Sequence, residues 1–321
     1  MIKFGVIGSG WIAEEFVKGA ELIDGFEFFA MYSRTREKGE AFAARFGGAP
    51  VYTDLAEFAK SDIDAVYIAS PNALHYSQSK LMLENGKHVL CEKPITISPE
   101  EFIELNELAE RNGLVYTEAI MMLHLSQRKI VKEKLKTLGN ISTAHFDFSQ
   151  LSSKYPALLR GENPNIFNPE MKTGCLRDLG IYCFYPAIDF FGEPKKIISS
   201  SGFLSTGADG FGTAILDYDD KQITLTYSKI GQDFCGSQIV GDKGTMTIGS
   251  ISKLTDVDIH YNDGTDEKLV GEIEKHILMS EEAKDFYEYI CNESAGLKES
   301  NEKILSVLRA MNTVVKQCNI I

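Results

Sequence analysis

Tryptophan occurs once in this chain of 321 residues, at Trp11, and cysteine six times, at Cys91, Cys175, Cys183, Cys235, Cys291 and Cys318, with no C-x-x-C pair. Thiols so widely scattered exclude a disulfide framework or a cysteine zinc site and are expected as reduced core filler. The six histidines lack H-E-x-x-H or any comparable spacing, so no metal is expected. Positive charge is scarce as well: 33 Lys and Arg face 46 Asp and Glu, for a net charge of -13. Without a basic stripe, nucleic acid and anionic membrane are excluded as partners. No apolar run is long enough to span a bilayer, and the chain opens on a strand-like segment without a basic leader. A cytoplasmic protein is expected. Internal repeats, low-complexity tracts and flexible linkers are also missing.

What is present is ordinary for a globular protein, with 44% hydrophobic and 25% charged residues, in a length that suits two domains. Up to about residue 120, apolar strands (2–8, 26–33, 65–70, 87–91 and 114–117) alternate with helical patterns such as Phe102, Leu105, Leu108 and Ala109. That alternation implies right-handed crossovers and a parallel sheet, an α/β Rossmann domain over 1–120. Beyond it, a helix near 124–138, a strand at 141–149 and a helix near 175–191 precede crowded strands at 196–204, 211–218, 221–229, 235–241 and 244–248. Strands joined by short turns predict an α+β domain over 121–321 with a mainly antiparallel open sheet. Helices at 279–294 and 300–318 close the chain and are free to pack back on the first domain.

The apolar run Ile2-Lys3-Phe4-Gly5-Val6-Ile7 drops into Gly8-Ser9-Gly10-Trp11-Ile12-Ala13 and then a helical pattern. In such a strand-turn-helix, Gly8 allows the tight turn, Gly10 lets backbone approach a pyrophosphate, and Ala13 lets the helix pack close. A plain strand-to-helix turn has the same outline. An NAD site would place an acid about twenty residues further on, at the end of the second strand. Here the segment reads Met31-Tyr32-Ser33-Arg34-Thr35-Arg36, without an acid. Ser33 and Arg34 suit the 2'-phosphate of NADP instead, unless the arginines simply start a solvated helix.

Cys91-Glu92-Lys93-Pro94 follows a parallel strand, so Lys93 stands at the edge where open α/β sheets bind ligands. The alternative is a surface lysine in a turn. In Asp178-Leu179-Gly180-Ile181-Tyr182-Cys183, Asp178 and Tyr182 are four apart and share a helix face, while Pro186 should bend the helix. A tyrosine near a lysine ammonium has its phenolate stabilised and can serve as acid-base, although the same spacing describes a core tyrosine tied to Asp178.

Taken in order, GVIGSGWIA at 5–13, YSRTREKGEAFAARFG at 32–47, SPNALH at 70–75, GKHVLCEKP at 86–94 and DLGIYC at 178–183 resemble the Gfo/Idh/MocA family of NAD(P)-dependent oxidoreductases. The resemblance implies phosphate contacts at Gly8, Ser9, Gly10, Trp11 and Ile12, ribose contacts at Ser70, Pro71, Asn72 and His75, and Glu92 and Lys93 beside the nicotinamide, with Lys93 catalytic. His75 also fits a purely structural hydrogen-bonding role. Where many members carry histidine, this chain has Tyr182, as in the branch that resembles dimeric dihydrodiol dehydrogenase and glucose-fructose oxidoreductase.

The resulting expectation is an NADP-preferring dehydrogenase, NAD remaining possible, that acts on a sugar, polyol or dihydrodiol. Tyr182 would be the acid-base, Lys93 its assistant and Asp178 an orienting residue. The alternatives are a redox-assisted glycosidase or epimerase that retains its cofactor, and a non-catalytic NADP sensor. A homodimer through the second-domain sheet is expected.

Overall fold

Strand-helix alternation builds a six-stranded, fully parallel sheet in the computed structural model of the chain, which describes residues 1–292 and 296–321. Its strands are β1 (Ile2–Ile7), β2 (Phe26–Tyr32), β3 (Val51–Tyr52), β4 (Ala65–Ile68), β5 (His88–Glu92) and β6 (Tyr116–Ala119), ordered β3-β2-β1-β4-β5-β6. The crossovers contain α1 (Trp11–Ala20), α2 (Arg36–Ala43), α3 (Leu55–Ala59), α4 (His75–Glu84) and α5 (Pro99–Asn112). Local chemistry sets the ends of α5: the Ser98 hydroxyl accepts from the Glu101 amide at 3.3 Å, Pro99 occupies the first turn, and Gly113 closes the helix at φ 66°. Every residue of β4 is buried, as a strand covered on both faces requires. Chain order reverses between β1 and β4, which creates a switch point at their carboxyl ends.

The second sheet has eight strands: β7 (Ile141–Ser149), β8 (Lys196–Phe203), β9 (Asp209–Asp217), β10 (Gln222–Ser228), β11 (Ser237–Gly241), β12 (Gly244–Ser250), β13 (Thr255–Tyr261) and β14 (Asp266–Val270). They lie in the order β14-β13-β12-β11-β7-β10-β9-β8; β7 and β10 are parallel and the other neighbours antiparallel. Along β10, Ile223, Leu225 and Tyr227 are fully buried while Gln222, Thr224, Thr226 and Ser228 alternate with them on the opposite face. The remaining helices are α6 (Met121–His124), α7 (Ser126–Leu135), α8 (Tyr155–Leu159), α9 (Ile181–Phe191), α10 (Lys275–Ile290) and α11 (Gly296–Cys318). α9 packs on β7 and β10, and a π-helical turn, Leu176–Gly180, precedes it.

Contacts divide the chain into residues 1–121 with 274–302, and residues 122–273 with 303–321. Residues 274–302, expected within 121–321 but free to pack back on the first domain, group with the first unit. α10 belongs with the parallel sheet because α1 offers it Gly19: a Cβ there would lie 2.8 Å from the Ser280 amide nitrogen and 2.9 Å from the His276 carbonyl oxygen.

Candidate active site

In the first unit the glycine turn sits at the switch point. Gly8 has φ 111°, and a Cβ there would lie 2.5 Å from the Ala69 carbonyl oxygen, so no larger residue fits beside the end of β4. At Gly10 a Cβ would meet nothing within 4 Å, which leaves the backbone entering α1 open to a ligand. Between β1, β2 and β4 lies a cleft of about 710 Å³ that gathers Gly8, Ser9, Ser33, Arg34, Ser70 and Pro71. Its charged lining residues are Arg34 and Lys38, and no acid lines it among the described residues. Ser33 is buried at the end of β2, whereas Arg34 and Lys38 are exposed. Open backbone at a helix start with cations at the second strand fits a dinucleotide bearing a 2'-phosphate.

The other expected cofactor residues lie outside the cleft lining. Trp11 is exposed on the first turn of α1, beside half-buried Ile12. Asn72 opens the short turn that leads into α4. His75 is buried, with Nδ1 2.8 Å from the Pro94 carbonyl and Nε2 2.8 Å from the Ser70 carbonyl. Burial pushes its pKa down while the two carbonyls pull it up. A neutral imidazole carries one N–H, so His75 donates to one of these carbonyls at a time while holding the Ser70 and Pro94 segments close, a geometry that suits the structural role.

Glu92 ends β5, and Lys93 follows it and joins Pro94 through a cis peptide. The Tyr67 hydroxyl donates to Glu92 Oε1, and Tyr67 itself stacks on Phe16 at 3.9 Å. Burial raises the Glu92 carboxyl, against the lowering effects of Lys93 and of the tyrosine bond. Beside it, fully buried Glu118 accepts from the Ile95 amide at 2.6 Å. Glu282 of α10 is equally buried, and its Oε1 has no hydrogen-bond partner. Burial holds that carboxyl well above the usual carboxylate range.

In the second unit, Asp178 lies in the π-turn rather than in a regular helix, so its spacing to Tyr182 includes a wider turn than an α-helical reading assumes. Tyr182 is half-buried in the first turn of α9, its ring edge-on to Phe148 of β7 at 5.1 Å. Asp178 pairs with Lys229, whose Nζ is 3.1 Å from Oδ2 and 3.1 Å from the Ile166 carbonyl. Lys229 is 1% exposed, so its ammonium requires such partners. Asp209, also buried, accepts from the Leu176 amide at 2.7 Å and pins the start of the π-turn.

Lys38 and Lys229 escape the sequence reading. Lys38 lies in the first turn of α2, four residues after Arg34, close enough in sequence to have pointed to the same ligand. Lys229 directly follows an alternating strand and looks like an exposed strand end. Only tertiary folding gives it Asp178.

The geometry agrees with what the chain matches. Residues 2–120 match the family model described as the oxidoreductase family with NAD-binding Rossmann fold, and residues 128–247 match the GFO/IDH/MocA C-terminal domain. A scyllo-inositol 2-dehydrogenase (NADP(+)) of Bacillus subtilis (strain 168) is 39% identical over 100% of this chain and 98% of its own. A trans-1,2-dihydrobenzene-1,2-diol dehydrogenase of Xenopus tropicalis is 27% identical over 77% of this chain and 75% of its own. Among solved structures, a 3-ketoreductase from Actinomadura kijaniata in complex with NADP and TDP-benzene superposes with a TM-score of 0.85 at 23% identity, covering 99% of this chain and 98% of that one. The chain belongs to the GFO/IDH/MocA family of oxidoreductases.

Proposed function

We propose that this chain is an NADP-preferring dehydrogenase or reductase of sugars and polyols, with a cyclic polyol of the inositol type as the first substrate to test. The observation that carries this reading is the cleft at the switch point, where Ser33, Arg34 and Lys38 stand at the end of β2 with no lining acid to hold an unphosphorylated ribose. The full-length likeness to an NADP-dependent inositol dehydrogenase supports the substrate class.

When bound, the cofactor would exchange a hydride at nicotinamide C4, NADP accepting it from the substrate carbon in oxidation and NADPH donating it in reduction. Tyr182 takes the substrate hydroxyl proton during oxidation and returns one during reduction. Lys93 hydrogen-bonds the same oxygen and stabilises the phenolate. Asp178, held by Lys229, orients the polar substrate or its acid-base partners. A homodimer through the open face of the second sheet completes the proposal.

The test is a screen of scyllo-inositol, other polyols, sugars and dihydrodiols with NADP, followed by NADPH formation, and then repeated with variants. Tyr182→Phe keeps the ring against Phe148 and should lower kcat by about 10²–10⁴ while NADPH affinity and melting temperature survive. Lys93→Met should cost a comparable factor, and the double variant little more, because groups that act as a unit are not additive. Near-normal turnover by Tyr182→Phe would refute the assignment.

A further inference from the structure

The matched family regions stop at residue 247, yet α10 folds with the parallel sheet and brings one cation to the glycine turn. That cation is Lys275, the first residue of α10. Its Nζ stands 6.0 Å from the Trp11 ring centroid and 3.5 Å from Met121 Sδ, so it bridges the start of α1 and the residue that follows β6 by two positions. Its charge also reaches the carboxyls of Glu92 and Glu282, favouring the ionised form of each. Glu282 lies seven residues along α10, on the same helical face, and Oε1 of its buried carboxyl has no partner.

Glu92 ends β5, Glu118 lies in β6 and Glu282 belongs to α10, the last two being fully buried. A diphosphate brought to the N-terminus of α1 meets the helix dipole, and Lys275, beside the Trp11 ring on the first turn of that helix, adds a positive charge there. We propose that Lys275 is a binding residue of the dinucleotide site, its ammonium bonding the diphosphate, so that α10 is part of the cofactor site.

This inference rests on the NADP reading, and calorimetric titration of the intact protein with NADPH separates the two. Lys275→Gln should bind NADPH about ten- to a hundredfold more weakly, the range of a lost charge-assisted bond. Lys275→Arg should recover most of the affinity. A structural lysine would act differently: its loss would lower the melting temperature of the cofactor-free protein, which Lys275→Gln should leave within about a degree or two. NADPH binding by Lys275→Gln within twofold of wild type overturns the inference alone, as does a weakening that tracks the cofactor-free melting temperature. Failure of the wild-type chain to bind NADPH overturns both readings.

Discussion

Arg34 is the side chain on which the proposed preference for NADP over NAD turns. It follows β2 beside buried Ser33, with Lys38 in the first turn of α2, and nothing acidic lines the cleft among the described residues. NADPH should therefore bind more tightly than NADH. A charge-assisted bond contributes about 1.5–3 kcal/mol, so Arg34→Ala should weaken NADPH by about ten- to a hundredfold and leave NADH nearly unchanged. Equal affinities of the wild-type protein for both dinucleotides in a fluorescence titration would end this reading. Ser33 and Arg34 were legible in the sequence because they occupy a fixed offset from Gly8 and Gly10, whatever the rest of the fold does. Lys229 was not, because its role depends on β10 meeting the π-turn, a contact between positions 51 residues apart that no local pattern encodes. His75 falls between the two. Its place after Ser70-Pro71-Asn72 suggested a cofactor contact, and only the carbonyls at both ring nitrogens point to the structural role.

Elements were legible to the degree that their periodicity was clean. β7 occupies 141–149 as read, with Ala144 and Phe146 buried and their neighbours turned outward. β3 has two residues and offers no period to detect. β13 was missed although Val257 and Ile259 alternate with Asp256 and Asp258, since the aspartates dilute its strand character. The π-turn before α9 has no sequence signal of its own; Asp209 and Lys229 hold it from outside the segment. The packing of α10 on α1 depends on Gly19, whose missing side chain is replaced by the backbone of His276, Met279 and Ser280. Two effects of Gly19→Ala oppose each other: alanine favours the helix by about 1 kcal/mol, and overpacking costs about 1–3 kcal/mol. Because the atoms met are backbone rather than flexible side-chain ends, overpacking should win. Gly19→Ala should melt a few degrees lower and bind NADPH more weakly, as α10 shifts and carries Lys275 with it. An unchanged or raised melting temperature would show that the two helices separate without loss.

At the scale of the whole molecule the unresolved demand is the open face of the second sheet. One face packs against α9, and the other presents Thr143 and His145 from β7, Thr213 and Phe211 from β9, and Thr224 and Thr226 from β10. On the same face Ile198 pairs with Ile215 across β8 and β9, and Ile198 and Phe211 are 47% and 46% exposed. A broad, flat face of threonines with exposed Ile and Phe is suited to an identical face related by a two-fold axis, because each copy then supplies the cover the other lacks. The same face also carries Asp147, opposite Thr226, so a two-fold pairing must keep the two copies of this carboxylate apart. Light scattering should accordingly give twice the 35.7 kDa of one chain at micromolar concentration. Thr224→Arg would place guanidinium groups from both copies on the central strands and should shift the mass toward one chain, leaving the inward residues Ile223 and Leu225 packed. A wild-type mass of 35.7 kDa under those conditions would mean that the face is stable in water and the pairing does not form.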